Sequence, residues 1–296
     1  VLYKCIYGVK HPYGYTEIGT EESNNAATRE NLALFWKAGY VPGNAALVAA
    51  GDVTEKELRG LAEEHFGQWR GPSSQFRLPV VQEHASRRIV IVDKPGSPQT
   101  ALRIGHVGVE RSNPEYVPID VMNTGLGGLF TSRINLNLRE RHGFTYGASS
   151  AFVFRRGPGP FIVATGVRTD VTLPAVEEIF NEIVRMRTTL PTPEELTTAK
   201  DSIARSLAGL FETTPQAASS IGQLFTYNLP PDYYRSLPGQ IDGVTAEDVK
   251  RVAEKYLKPG HMIVVAVGDR AKIEPELAKL QLGPIEVRDS AGNPTN

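Results

Sequence analysis

Several residue types and patterns that mark protein classes are scarce in this sequence. Cys5 is the single cysteine in 296 residues, which excludes an intrachain disulfide framework and a cysteine-rich metal site. No apolar run approaches the roughly 20 residues that cross a bilayer, so no membrane span is expected. Lys plus Arg (32) and Asp plus Glu (33) nearly balance, which gives no electrostatic reason to expect nucleic acid as a partner.

The motifs of common enzyme classes are absent as well. The six histidines occur in neither H-E-x-x-H nor H-x-x-E-H, the helical patterns that place two zinc ligands on one face. There is no G-x-S-x-G elbow and no P-loop lysine, and the glycines of 125–128 lack dinucleotide-loop spacing, so we interpret them as a break between helices. The sequence therefore predicts no catalytic residue, no metal ligand and no cofactor in this chain.

Length and composition indicate a globular protein of more than one domain. At about 150 residues per domain, 296 residues predict roughly two domains, and a hydrophobic fraction of 41% is enough to form a core. The first residues, Val1-Leu2-Tyr3-Lys4, have neither the basic region nor the apolar stretch of a signal peptide. We expect a soluble fragment of a longer protein, and its compartment stays open.

An internal repeat is the most informative feature that is present. Residues 28–53 and 245–270 align without a gap at an offset of 217. Each copy is typical of a capped helix, a Pro-Gly break, and a strand that ends at Gly-Asp. Convergence is the alternative, since such units are common, but the gapless match favours a true repeat. The matching residues are Thr28 and Thr245, Glu30 and Glu247, Pro42 and Pro259, Gly43 and Gly260, and Gly51-Asp52 and Gly268-Asp269.

Strands are predicted in pairs rather than singly between helices. The predicted strands are 88–93, 99–106, 144–154, 160–167 and 262–268. Helices are predicted to begin at the capping residues Asn113, Thr192, Thr214 and Thr245. Paired strands favour an α+β fold, with a mainly antiparallel sheet and helices packed on one face.

The alternation of residues in 144–154 gives this strand two distinct faces. Tyr146 is predicted to share one face with Ala148, Ser150, Phe152 and Phe154. The following segment, Arg155-Arg156-Gly157-Pro158-Gly159-Pro160, is typical of a hairpin loop.

The two copies of the repeat differ in how much sequence precedes them. The second copy follows a long mixed segment that begins near residue 88, whereas only 27 residues precede the first. If the copies mark homologous domains, the first domain lacks most of its N-terminal half. We therefore predict four parts: a truncated first domain (1–70), a polar linker (71–87), a complete second domain (88–285) and a tail (286–296).

Two groups of short motifs resemble those of a known peptidase family. The first group is His11-Pro12-Tyr13-Gly14 with Gly19, then Tyr40-Val41-Pro42-Gly43-Asn44, Gly51-Asp52 and Phe66-Gly67-Gln68-Trp69. The second group is Gly127-Gly128-Leu129-Phe130-Thr131-Ser132-Arg133-Ile134, then Leu138-Arg139-Glu140-Arg141 and Gly143-Phe144-Thr145-Tyr146. In this order they resemble the insulinase/pitrilysin/mitochondrial processing peptidase family, over about residues 1–285. The match covers the end of its catalytic domain and the whole of its non-catalytic domain.

The resemblance implies a zinc peptidase built from two homologous α+β domains that form half of a clamshell. In such enzymes the first domain holds zinc through H-x-x-E-H and a distant Glu, and the Glu of the motif activates water. That motif precedes the His-Pro-Tyr-Gly loop, so it would lie upstream of Val1. Zinc is therefore expected in the full-length parent and not in this chain.

Arg139 and Tyr146 are the candidate substrate-binding residues. The sequence places Arg139 in the last turn of a helix that stops at Gly143, and Tyr146 at the start of the next strand. From the residues alone, a helix-terminal cation and a packed tyrosine are the better interpretation. The family resemblance instead implies that the pair reaches the zinc domain and holds the substrate main chain or its oxyanion, for which a guanidinium and a phenol are suitable donors.

Two functions follow from the resemblance. The first is part of a zinc metallopeptidase that hydrolyses unfolded peptides, with the peptide bound as an added strand at a sheet edge. The second is a non-enzymatic partner subunit or assembly scaffold, because the family includes halves that have lost catalysis. In either case the implied partner is a second clamshell half, in a homodimer or a heterodimer, and the chain alone should be inactive.

Overall fold

The structure, a computed structural model, describes residues 1–71, 77–82 and 86–295. Residues 72–76 and 83–85 of the expected linker lie outside this part of the chain. The strands are β1 (Arg88–Asp93), β2 (Gln99–Val107), β3 (Thr145–Phe152), β4 (Pro160–Arg168), β5 (Ile263–Gly268) and β6 (Ile285–Arg288). The helices are α1 (Leu2–Tyr7), α2 (Glu21–Asn25), α3 (Arg29–Gly39), α4 (Glu55–Phe66), α5 (Tyr116–Asn123), α6 (Arg133–Asn135), α7 (Thr172–Thr188), α8 (Pro193–Gly209), α9 (Thr214–Tyr227), α10 (Tyr233–Asp242), α11 (Ala246–Tyr256) and α12 (Arg270–Ala278).

The strands form one mixed sheet in the order β3-β4-β2-β5-β1-β6. The pairs β3–β4, β4–β2 and β2–β5 are antiparallel, and β5–β1 and β1–β6 are parallel. The predicted α+β class is confirmed, and the five predicted strands form within two residues of their expected bounds. The short β6 was not expected, and it crosses the predicted start of the tail at residue 286.

Helices that include α7 and α11 cover one face of the sheet, and the central strands carry apolar residues on both faces. On the helical face, Ile91, Leu102 and Val264 pack in the main core with Ile179 of α7 and Val252 of α11. Burial of each such side chain contributes about 1.5–3 kcal/mol. Strands that are buried on both sides read as continuous apolar runs, which explains the sequences of β1 and β5.

Helix α1 covers part of the opposite face of the sheet. Its Cys5 and Ile6 are fully buried against Val90, Val107 and Val265. Among the described residues, no helix combines the length and the apolarity needed to cross a membrane.

The His-Pro-Tyr-Gly loop that follows α1 is tied to the β3–β4 hairpin loop. The Tyr7 hydroxyl donates a hydrogen bond to the Pro158 carbonyl at 2.9 Å, and the Tyr13 hydroxyl accepts one from the Gly157 N–H at 3.1 Å. Arg155 lies over the Tyr13 ring, 4.7 Å from its centroid. The N-terminal segment is therefore fixed to the predicted second domain at two places, the sheet face and this loop.

The repeat is reproduced for its helix and its Pro-Gly turn but not for its strand. Helices α3 and α11 have equivalent bounds at the offset of 217, and both begin at a capping box, on Thr28 and Thr245. The turns Pro42–Asn44 and Pro259–His261 also correspond. The expected strand after Asn44 is not formed, because no described residue provides a neighbouring strand for its backbone.

Candidate substrate-contacting site

Arg139 lies in a π-helical segment, Leu136–Arg141, which we call the arginine π-turn. The turn ends as the sequence predicts: Gly143 has φ +62°, and the Phe144 N–H reaches back to the Leu138 carbonyl at 2.8 Å. Single π-turns of this kind are rare and concentrate at functional sites. The wider turn directs the Arg139 side chain out of the helix toward Phe130, whose ring centroid lies 4.3 Å from the guanidinium carbon.

Tyr146 lies in a β-bulge, which removes it from the face of β3 that it was predicted to share with Ala148, Ser150, Phe152 and Phe154. The register of β3 against β4 shifts between Thr145 and Ala148, so the alternation breaks and Tyr146 is 92% exposed. Side-chain hydroxyls hold the bulge: Thr145 Oγ1 donates to the Gly147 carbonyl at 2.9 Å, and Thr165 Oγ1 donates to the same carbonyl at 3.0 Å. The interpretation of Tyr146 as a tyrosine packed in the sheet is wrong.

Arg139 and Tyr146 line one open cavity of about 400 Å³. Its other walls are Gly127–Phe130, Asn135 and the strand segment 147–149. Both side chains face this cavity. Among the described residues, nothing accepts a hydrogen bond from the terminal guanidinium nitrogens of Arg139, and its ion pair to Glu140 is long, at 3.4 Å. Two donors, one of them charged, are therefore available to an acceptor in this cavity.

Two buried asparagines occupy the outer edge of β3 beside the cavity. Asn135 accepts a hydrogen bond from the Ala148 N–H at 2.9 Å and donates one to the Phe130 carbonyl at 2.6 Å. Asn123 donates to the Ser150 carbonyl at 3.1 Å. These side chains take the places of an adjacent strand at 148–150. The expectation that a peptide is added as a strand therefore finds no open position on this part of β3.

A glycine allows the loop to approach β3 so closely. Thr124–Gly128 is a second π-helical segment, which we call the glycine π-turn. A Cβ on Gly127 would lie 2.3 Å from the Ser150 Oγ and 2.4 Å from the Ser150 nitrogen, well inside van der Waals contact. The predicted break between helices is thus a π-turn with a specific backbone contact.

Buried polar contacts anchor the arginine π-turn and the preceding helix to the helical layer. The Asn137 amide donates to Glu178 at 2.8 Å and to Glu182 at 2.7 Å, both on α7. Arg133 forms a bidentate pair with Glu195 at 2.7 Å for both bonds. Burial raises the pKa of Glu195, but the bonds from Arg133 and from the Thr192 N–H outweigh it, so this pKa lies below its usual value.

The residues that are present do not fit a zinc site. Among residues 1–71, 77–82 and 86–295, no group of three or more His, Cys, Asp or Glu side chains is placed to hold a metal ion. The described residues therefore provide no position for zinc chemistry. The arrangement can bind and polarise an acceptor.

The sequence predicted Arg139 and Tyr146 as candidate residues but gave no indication of the residues that hold them in place. Gly127, Asn135 and Thr165 act through contacts with segments that are distant in sequence, which local patterns do not report. The one available signal was Gly127 itself, because a glycine within an otherwise regular segment often marks a close backbone approach.

Comparison with known proteins supports the resemblance found in the sequence. A family model described as the peptidase M16 inactive domain matches residues 26–203, more than half of the chain. An uncharacterised zinc protease of Mycobacterium leprae is 27% identical over 252 residues, which cover 83% of this chain and 56% of that protein. The beta subunit of a mitochondrial-processing peptidase from Lentinula edodes is 25% identical over 276 residues, with 87% and 58% coverage. The chain thus spans about half the length of the curated relatives that it matches.

Solved structures share the fold. A peptidase M16 inactive domain from Pseudomonas fluorescens superposes with a TM-score of 0.84 at 26% identity, over 90% of this chain and 64% of that one. A Helicobacter pylori protease gives a TM-score of 0.77 at 20% identity, over 87% and 63%. On the family match, and with the fold and the motifs in agreement, this chain belongs to the peptidase M16 inactive-domain family, within the insulinase/pitrilysin/mitochondrial processing peptidase group.

Proposed function

We propose that this chain is the non-catalytic, substrate-contacting part of a zinc metallopeptidase that hydrolyses unfolded peptides in a clamshell chamber. Arg139 and Tyr146 bind the peptide main chain or the oxyanion that forms on its scissile carbonyl. The observation that carries the proposal is the shared cavity, in which both side chains present donors while buried polar contacts hold the backbone beneath them. Donors that stabilise a developing charge must be aimed before the reaction begins.

The proposal assigns the catalytic water and the zinc to another half-domain. The peptide lies between that half-domain and the Arg139 cavity, and it does not pair with residues 148–150 of β3, because Asn123 and Asn135 occupy that part of the edge. A second clamshell half, in a homodimer or a heterodimer, completes the chamber.

The apolar face of α3 supports the predicted division into a partial first domain (1–70) and a second domain (88–285). At the offset of 217, four exposed residues of α3 and its end correspond to four buried residues of α11 and its end. These pairs are Leu32 and Val249, Phe35 and Val252, Trp36 and Ala253, and Tyr40 and Leu257. Phe35 is 68% exposed, whereas Val252 is fully buried. In homologous domains the same face would be covered by a homologous helix layer.

The affinity of the 296-residue chain for an unfolded peptide tests the role of the Arg139 cavity. A fluorescently labelled unfolded peptide is titrated with the wild-type chain and with Arg139→Ala, Tyr146→Phe and Arg205→Ala, and anisotropy is followed. Loss of a charged hydrogen bond costs about 1.5–3 kcal/mol, so Arg139→Ala should weaken Kd by roughly 10- to 100-fold. Tyr146→Phe should weaken it by roughly 2- to 10-fold. Arg205 is an exposed arginine of α8 that is paired with Asp201 and serves as the charge-matched control.

Unchanged affinity in Arg139→Ala would count against a substrate-contacting role. If the wild-type chain also binds no unfolded peptide but forms a stable complex with a second family member, the non-enzymatic partner or scaffold function is the better assignment.

A further inference from the structure

A second cavity lies between α5, α8, α9 and α10, and it shares no lining residue with the Arg139 cavity. Its volume is about 190 Å³. One bound water needs only about 10–15 Å³, and a cavity of about 150 Å³ already admits benzene. The space is therefore large enough for a small organic molecule. Much of its wall is aliphatic and comes from Val117, Ile203, Leu207, Leu210, Leu237 and Ile241.

One wall of the cavity carries a fixed cation. Arg111 is 7% exposed, its guanidinium carbon lies 3.5 Å from the centroid of the Tyr116 ring, and its Nη2 donates to the Tyr233 hydroxyl at 2.6 Å. That hydroxyl is its one side-chain acceptor among the described residues. A guanidinium has five N–H donors, so most of its hydrogen-bonding capacity is available to the cavity.

The opposing charge in the cavity is the carboxylate of Asp120. No described residue donates a hydrogen bond to this carboxylate or forms an ion pair with it, although Arg111 lines the same space. Burial raises the pKa of Asp120 to about 6, and the nearby Arg111 charge only partly opposes the rise. A partly desolvated carboxylate without a hydrogen-bond partner is unfavourable, and a cation placed beside it would stabilise it.

We propose that this cavity binds a free α-amino acid with a branched aliphatic side chain, such as leucine. The ligand carboxylate takes the free N–H groups of Arg111, the ammonium pairs with Asp120, and the aliphatic residues cover the side chain. A simple carboxylic acid would leave Asp120 unpaired and close to a like charge, and a simple amine would add no acceptor for the remaining N–H groups of Arg111. The zwitterion satisfies both groups. This site is independent of the proposed peptidase function.

Calorimetric titration of the full 296-residue chain at neutral pH tests the site with three matched probes. L-Leucine has both charges, 4-methylpentanoate lacks the ammonium, and 3-methylbutylamine lacks the carboxylate. We expect saturable binding of leucine that is at least tenfold tighter than that of either analogue. Asp120→Asn, which is nearly isosteric, should remove the preference for leucine over 4-methylpentanoate. Asp201→Asn, an exposed carboxylate of α8, should leave leucine affinity unchanged.

Three outcomes overturn the proposal: no saturable leucine binding, equal affinity for leucine and 4-methylpentanoate, or unchanged leucine affinity in Asp120→Asn. The first would mean that the cavity holds water alone. A cavity-filling variant, Leu207→Phe, distinguishes loss of binding from loss of folding. It should abolish leucine binding while the helical circular dichroism and the Tm of the chain are retained, and retained binding would also refute the site.

Discussion

Replacing Gly127 by alanine should destabilise the chain because the added methyl group has no space. Its Cβ would lie 2.3 Å from the Ser150 Oγ, 2.4 Å from the Ser150 nitrogen and 2.7 Å from the Ser150 Cβ. Ordinary contacts begin near 3.4 Å, so the glycine π-turn must move away from β3 by about 1 Å. Overpacking of this kind costs about 1–3 kcal/mol. The movement also weakens the Asn123–Ser150 hydrogen bonds, each worth about 0.5–1.5 kcal/mol. We expect a total loss of about 2–4 kcal/mol.

Gly125→Ala is the matched control in the same turn. The nearest atom to a Cβ there is the Met186 Cε, at 3.9 Å, so the methyl group fits. Removing the flexibility of glycine from the unfolded chain should then raise stability by about 0.4–1 kcal/mol. Urea denaturation followed by circular dichroism gives the free energy of unfolding of both variants. The two values can be compared directly when the m-value is the same in both variants.

A double variant separates the backbone contact from the side-chain contact. Ser150→Ala removes the Oγ from the clash but leaves the Ser150 nitrogen 2.4 Å from the new Cβ. In the Ser150→Ala background, Gly127→Ala should therefore still cost more than half of the free energy of unfolding that it costs in the wild-type chain. The reference for this cost is Ser150→Ala alone. Full recovery, or equal stability of Gly127→Ala and Gly125→Ala, would refute the close approach of the two backbones.

Four further outcomes are expected. Phe35→Gln should change the free energy of unfolding by less than about 0.5 kcal/mol because the side chain is exposed, whereas Val252→Gln, at the equivalent buried position, should cost about 3–5 kcal/mol; equal effects in urea denaturation would contradict the different burial of the two faces. The pKa of Glu195 is lower in the folded chain than its unfolded value of about 4.3, so ionised Glu195 stabilises the fold above that pH and this stabilisation is lost as the pH falls. The difference in free energy of unfolding between the wild-type chain and Glu195→Gln should therefore narrow below about pH 4. A difference that widens as the pH falls would contradict the lowered pKa. Thr165→Val should cost about 1 kcal/mol and weaken peptide affinity, because the bulge no longer directs Tyr146; stability loss without an affinity change would place Thr165 outside the site. Elemental analysis of the purified chain should find well below one zinc per chain, and a peptidase assay should find no cleavage. One zinc per chain, whose removal abolishes cleavage, would contradict the absence of a zinc site among the described residues.

Local sequence patterns predicted most of the fold because they report local energetics. The apolar runs of β1 and β5 and the capping box at Thr192 each depend on a few adjacent residues, and each forms as expected. The short β6 was missed because its pairing with β1 is supplied by a distant segment. The strand expected after Asn44 fails for the converse reason, since a strand needs a neighbour as well as a suitable sequence.

The sequence indicates two candidate side chains of the site but not their geometry. Strict alternation predicts that Tyr146 shares a face of β3 with Ala148, and a one-residue shift of the register moves a side chain to the opposite face. The bulge depends on the Thr165 hydroxyl of the neighbouring strand, and the closed edge depends on Asn123 and Asn135 from two helical segments. These contacts join residues that are between 13 and 27 positions apart, so windows that detect helices and strands do not include them.

The most direct measurement is peptide turnover in a protein that joins this chain to a zinc-bearing half-domain of the same family. Arg139→Ala should lower kcat/KM by roughly 10²–10³, the loss typical for one donor to a developing oxyanion, while zinc content and Tm stay at wild-type values. Arg205→Ala should leave all three quantities unchanged. Normal turnover in Arg139→Ala, or a loss of turnover that is matched by loss of zinc or of the fold, would contradict the assignment of Arg139 to the substrate.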